Sequence, residues 1–222
     1  MRCACVALHR IAEDILVSFP TVDKLVSSGK KIFVKCAARA TTFKELAPGI
    51  SLPPEPVLTR WGTRIAAAVY YAENLEAFST VVNALDPADA ASIKVAQEIV
   101  KNPSLRKKLA FMNAHFKNLP TTIEKLEAKD RPLTESLTIF QGALQDLKNT
   151  PGPIGERVLD KCDAVIKRNP DYKKIEEVAD ILRGRSSLES HISLNPSEIA
   201  ALKMAPITSV DVERTFSVLK HT

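Results

Sequence analysis

Residues 63–85 are TRIAAAVYYAENLEAFSTVVNAL, and this stretch decides the fold. Its apolar side chains recur every three or four residues, which places them on one face of an α-helix. The alanines between Arg64 and Ala72 also favour helix over sheet. The stretch therefore predicts one long helix, whose inward face would carry Ile65, Ala68, Val69, Ala72, Leu75, Phe78 and Val82.

The same periodicity continues on both sides of this helix. A stripe from Leu8 to Phe19 stops at Pro20, and Gly29 weakens the middle of the segment that follows. No window alternates as a strand, except for one candidate near residues 205–208. The chain is therefore predicted to be all-α. Turn residues and capping residues place the further helix starts near Thr21, Thr42, Asp86-Pro87, Asn102-Pro103, Pro132, Ile154, Asn169-Pro170, Pro196 and Thr208 or Ser209.

Composition excludes several classes of protein. The 222 residues are 45% apolar and 26% charged, which is too apolar for general disorder. No apolar run approaches the roughly 20 residues of a membrane span, so no membrane is expected. The four cysteines show neither disulfide-framework nor zinc-ligand spacing, which indicates reduced thiols in an intracellular protein without a metal site. The net charge of +5 permits contact with nucleic acid but does not indicate it.

Three motifs occur in order along the chain. The first is Cys3 to Arg10, CACVALHR, and the second is Pro54 to Thr63, PEPVLTRWGT, after a connector with four prolines between residues 48 and 56. The third is Ala205 to Ser217, APITSVDVERTFS. Together they resemble the hAT superfamily of transposases, and the third, with its Ser-x-x-x-Glu-Arg-x-Phe-Ser core, carries most of the resemblance.

The resemblance implies a fold, an activity and candidate residues. The fold would be an RNase H-like core, interrupted by an all-α insertion, which cuts and joins DNA with two Mg²⁺ ions. Glu213 would match the third carboxylate of the catalytic triad. Trp61 would match an aromatic side chain that stacks on an unpaired base, with Arg60 beside it facing phosphate. The C-terminal region would be a dimerisation region, with Val212, Phe216 and Leu219 in the interface.

The chain also departs from the family pattern. Both aspartates of the triad would lie upstream of the first motif, and the family histidine of that motif falls on Val6. No zinc-finger domain is expected, and the chain is expected to be truncated at both ends relative to the family. Two Mg²⁺ ions about 4 Å apart need several converging carboxylates, so a lone Glu213 predicts a protein without catalytic activity or cofactor.

Each candidate residue also has a structural interpretation. Glu213 suits the first turn of a helix, where a carboxylate favours the positive end of the helix dipole. A lone tryptophan such as Trp61 is more often a core anchor than a stacking platform. The basic clusters Lys30-Lys31 with Lys35, and 106–108, are typical of solvated helix faces, because neither contains interleaved aromatic residues.

These observations predict a three-part chain. Residues 1–58 would be helical remnants of the RNase H-like core, 59–195 a helical insertion-like domain, and 196–222 a partial hAT C-terminal dimerisation segment. The predicted function is self-association of a non-catalytic, transposase-derived protein in the nucleus, with no small-molecule substrate. Two alternatives remain open. One is part of an active transposase, with Mg²⁺, whose other acids lie outside this chain, and the other is a DNA-binding module.

Overall fold

The computed structural model describes residues 4–34, 36–57, 60–128, 131–169, 172–185 and 196–203. Over these ranges the chain forms α-helices and no strand, which confirms the all-α prediction. The helices are α1 (Ala4–Val17), α2 (Pro20–Phe33), α3 (Ala37–Leu46), α4 (Trp61–Ala84), α5 (Ala91–Val100), α6 (Leu105–Phe116), α7 (Leu119–Glu127), α8 (Leu133–Lys148), α9 (Gly152–Lys167), α10 (Tyr172–Leu182) and α11 (Pro196–Leu202).

Most predicted helices are present, but several predicted starts are wrong. Phe19, not Thr21, is the N-cap of α2. Thr42 lies inside α3, where its hydroxyl donates to the Ala38 carbonyl at 3.2 Å, and α7 was not predicted. Asp86 accepts a hydrogen bond from the Ala88 N–H at 2.8 Å, so it stabilises a turn, and α5 begins only at Ala91.

Contacts divide the chain into two compact units. The central unit is residues 12–120, and the terminal unit combines residues 1–11 with residues 121–222. Helices α1 and α7 contribute residues to both units. This division follows contacts rather than family resemblance, so the three-part division stays a prediction. Its boundary at residues 58–59 and the candidate strand at 205–208 lie outside the described residues.

In the central unit, α4 is the helix around which the others pack. It contacts α2, α3, α5 and α6. Tyr71 and Phe78 on α4 are fully buried, and their rings meet edge to face with centroids 4.8 Å apart. Asn74 between them has non-helical backbone angles, so α4 is kinked at its middle. Of the predicted inward face, Ile65, Ala68, Phe78 and Val82 are buried, while Val69, Ala72 and Leu75 are half-buried.

Gly29 permits the close packing of α2 on α4. It is buried, and a Cβ atom at this position would overlap the hydroxyl of Tyr71 and approach the ring of Phe78 to 3.4 Å. The glycine that the sequence marks as a weak point of α2 is therefore the residue that admits the aromatic pair of α4.

The terminal unit is built around α8, which contacts α9 and α10. One side of α8 is buried along its whole length. The Leu133 N–H donates to the Lys203 carbonyl at 2.9 Å, which fixes the end of α11 at the start of α8. Near the N-terminus of this unit, His9 lies 3.4 Å from the Glu127 carboxylate. The buried residues of α8 are Leu133, Ser136, Leu137, Phe140, Ala143, Leu144 and Leu147.

Candidate functional site

The predicted site residues fall in two groups. Glu213 and the predicted interface residues Val212, Phe216 and Leu219 lie outside the described residues. Arg60 and Trp61 are described, and they lie where the proline-rich connector meets α4. We call the surface formed by Arg60, Trp61 and Arg64 the α4 corner.

The connector holds the α4 corner through hydrogen bonds to the first turn of α4. The Val57 N–H donates to the Thr63 hydroxyl at 2.9 Å, and that hydroxyl lies 2.7 Å from the Arg60 carbonyl. Arg60 occupies the N-cap position and is exposed. Trp61 is the first helical residue and is half-buried. The short polar turn therefore places an arginine and an indole side by side.

Arg64 supports the indole from the following turn. Its Cζ atom lies 5.7 Å from the centroid of the Trp61 ring, within the range of a cation–π interaction. The residue is only 8% exposed, and its Nε atom donates to Asp23 Oδ1 at 3.0 Å. Its Nη2 atom donates to the Ser27 hydroxyl, also at 3.0 Å. The carboxylate balances the buried charge, so Arg64 acts as a fixed backing for Trp61 rather than as a free cation.

The connector also binds the cluster at Lys30. The Lys30 ammonium lies 3.5 Å from the Pro56 carbonyl and 4.0 Å from a Glu55 carboxylate oxygen. Pro53 and Pro56 are buried, and the Tyr70 hydroxyl donates to the Ser51 carbonyl. The connector is therefore packed on the central unit, although it contains no regular structure.

Cys36 and Cys162 are free thiols. Cys5 and Cys162 are buried, and Cys36 is half-buried. Burial raises the pKa of the Cys162 thiol to about 11, which keeps it protonated at neutral pH. Among the described residues, no three His, Cys, Asp or Glu side chains converge as metal ligands would. Within the same part of the chain, no helix is long and apolar enough to span a membrane.

Sequence inspection missed an aromatic pair beside the second basic cluster. Phe111 and His115 are both half-buried on α6, with ring centroids 4.5 Å apart. Phe111 also packs against Phe19, with centroids 5.9 Å apart. The distribution of charge in the sequence would have indicated this surface, because residues 99–123 contain five Lys and Arg and no Asp or Glu.

Comparison with known proteins identifies no relative. The chain matches no family model, no curated protein and no solved structure.

Proposed function

We propose that this protein is a non-catalytic derivative of a hAT-superfamily transposase that works by self-association through its C-terminal segment. The observation that carries the proposal is the sequence from Ser209 to Ser217, SVDVERTFS, which has the core pattern of the family's dimerisation motif. Nuclear localisation, which the resemblance implies, belongs to the same proposal.

Two features of the described residues support the proposed relationship. The described part of the chain is helical, as the family's insertion domain would be. Helix α4 begins at Trp61, which is where the Arg-Trp motif would mark the start of that domain. The resemblance therefore agrees with a helix boundary that the hydrogen bonds of the connector also define.

The catalytic role that the resemblance gives to Glu213 needs more than one carboxylate. Phosphoryl transfer by two divalent ions needs several carboxylates that share the positive charge. Among the residues of this chain, the resemblance assigns such a carboxylate to Glu213. If the chain cleaved DNA with Mg²⁺ and lost this activity in Glu213→Gln, the catalytic alternative would replace our proposal.

The proposed interface follows from helical spacing. Val212, Phe216 and Leu219 are spaced i, i+4 and i+7, which would place them on one face of a helix. A contiguous apolar face of this kind marks an interface when no partner covers it within the chain. Two-fold pairing of identical chains is the commonest outcome.

Sedimentation velocity of the full chain tests the proposal. We expect a dimer at micromolar concentration that Phe216→Asp dissociates, because a charge in an apolar interface is costly to bury. His221→Asp adds the same charge outside the motif, on the opposite side at helical spacing, and should leave the dimer intact. Phe116→Asp places the charge in the described core and should unfold the chain. A strict monomer, or unfolding by Phe216→Asp as by Phe116→Asp, would refute the proposal.

DNA contact at the α4 corner is the second candidate function. The half-buried Trp61 ring, backed by Arg64, favours it. A base stacked on an aromatic ring contributes about 1–3 kcal/mol. Trp61→Leu should then weaken binding of hairpin or frayed DNA without lowering the melting temperature. If the melting temperature falls and DNA affinity does not, Trp61 is a packing residue.

A further inference from the structure

The positive charge of the chain is concentrated in one segment. Residues 99–123 carry five cations and no carboxylate, which gives this segment a formal charge of +5. The net charge of the whole chain is also +5, so the remaining residues sum to zero. Three of the five cations lie on α6, and such a basic cluster indicates a polyanionic partner. The cations are Lys101, Arg106, Lys107, Lys108 and Lys117.

Helix α6 presents part of this charge next to the aromatic pair. Lys107, Phe111 and His115 are spaced i, i+4 and i+8, so they follow one another along one side of α6. The opposite side is buried through Leu105, Leu109, Met112 and Phe116. We call the surface formed by Lys107, Lys108, Phe111 and His115 the α6 strip.

The α6 strip keeps its shape through contacts behind it. The ring of Phe19, which is buried, supports Phe111 at a centroid distance of 5.9 Å. The Lys108 ammonium donates to the Thr21 hydroxyl at 3.1 Å, a neutral acceptor that leaves its charge uncompensated by this contact. By contrast, Arg106 forms an ion pair with Glu76. Lys107 and Lys108 therefore supply the charge of the strip, and Phe111 supplies an aromatic surface whose position is fixed.

We infer that the α6 strip binds single-stranded nucleic acid. Lysines can follow the phosphate backbone, and an aromatic ring offers a stacking surface to any base. An acidic protein would use the charge but would gain less from the Phe111–His115 pair, so the aromatic pair favours nucleic acid. The α6 strip is distinct from both the proposed C-terminal interface and the α4 corner, and the inference does not depend on either.

Fluorescence anisotropy with a labelled oligothymidine of about 16 nucleotides tests this inference, since single-strand sites span about 4–16 nucleotides. We expect saturable binding at physiological salt with a dissociation constant of about 1–100 µM, and tighter binding at lower salt. Phe111→Leu should weaken binding about 5- to 100-fold, as expected for the loss of one stacked base. Phe43→Leu removes a fully buried ring from α3, elsewhere in the central unit, and should not weaken binding by the folded chain.

The dependence of affinity on salt concentration separates the contribution of the lysine from that of the aromatic ring. Lys107→Gln should reduce the slope of log affinity against log salt by about 0.7, the value for one lost phosphate contact to a single strand. Phe111→Leu should leave this slope unchanged, and Lys44→Gln, an exposed lysine on α3, should change neither slope nor affinity. Lys107 is exposed, so its substitution tests the strip even if Phe111→Leu unfolds the protein.

Three results would overturn the inference. One is the absence of saturable binding to the oligothymidine. Another is equal binding by Lys107→Gln and the unaltered chain. The third is displacement by polyglutamate as effective as displacement by unlabelled oligothymidine, because this would identify an acidic protein as the partner. Dimerisation is measured without nucleic acid. The proposal of self-association and the inference about the α6 strip can therefore be refuted independently.

Discussion

The two units are built from the same kind of amphipathic helix but bury it to different extents. Five of the six described isoleucines of the central unit are buried, whereas five of the seven isoleucines of the terminal unit whose burial is described are half-buried. The reason is the number of helices that surround the central element. Helix α4 is packed by four helices, and α8 is packed mainly by α9 and α10. Equal periodicity in the sequence therefore does not imply an equally complete core.

The largest expected effect comes from truncating one phenylalanine in each unit. Phe78 is 0% exposed, whereas Phe140 is 3% exposed and lines a small notch with Ala4 and Val165. Phe78→Ala should lower the free energy of unfolding by about 3–5 kcal/mol. Phe140→Ala should cost about 1 kcal/mol less, because fewer contacts are lost. Urea unfolding followed by circular dichroism measures both, and equal losses would contradict the contrast between the units.

A pair of glycine substitutions sharpens the comparison. Gly29→Ala should destabilise the chain by about 1–3 kcal/mol, because the new methyl group overlaps the Tyr71 hydroxyl. Gly142 lies within α8 with open space around its Cβ position, so Gly142→Ala should stabilise by about 0.5–1 kcal/mol. The melting temperatures should move in opposite directions. A rise with Gly29→Ala would show that α2 and α4 can separate at low cost.

A smaller loss of stability is expected when the ion pair between Asp23 and Arg64, which supports Trp61, is broken. Asp23→Asn leaves Arg64, whose side chain is only 10% exposed, without a counter-charge. We expect a loss of about 1–2 kcal/mol, since Asp23 itself is partly exposed. Glu76→Gln breaks the exposed pair with Arg106 and should cost about 0–1 kcal/mol. Thermal unfolding compares the two variants. Equal losses would mean that burial of Arg64 is unimportant.

The smallest expected effect is a difference in reactivity between the thiol of Cys162, in the terminal unit, and that of Cys36. Burial raises the pKa of this thiol from 9.0 to about 11, so it stays protonated and unreactive at neutral pH. Since the raised pKa belongs to the folded state, the associated stabilisation is complete below pH 9 and is lost as the pH rises towards 11. A thiol-reactive dye should modify Cys36 faster than Cys162, and Cys162→Ser identifies its signal. Equal rates at pH 8 would show that the terminal unit opens readily.

Helix positions were predictable from the sequence because apolar stripes record which face is buried. The buried residues of α6, which are Leu105, Leu109, Met112 and Phe116, recur in the sequence at helical spacing. Helix starts were harder, because Asp86 and Asn102 can stabilise either a helix or a preceding turn. In the folded chain both side chains accept hydrogen bonds from residues two positions later, before their helices begin.

The candidate site was predictable only in part. The Arg-Trp motif located the start of α4, but no local pattern indicates that Arg64 would lie between Trp61 and Asp23, which is 41 residues away from it. The α6 strip was missed because its charged and aromatic residues are separated by one helical turn. Phe19, which supports the strip, belongs to another part of the chain. The C-terminal predictions concern residues outside the described ranges and stay predictions.

The position of residues 4–11 has a consequence for how the protein is made. These residues are translated before the central unit, yet they belong to a unit whose other residues begin at Thr121. The central unit can fold while synthesis continues, because its residues are contiguous. Leu8 and Ile11, both fully buried in the finished protein, must wait for partners that are translated later. The contact between His9 and Glu127 spans 118 positions. The apolar face of residues 4–11 therefore stays uncovered until residues from Thr121 onward have been translated, and during this time it offers the kind of surface that chaperones bind.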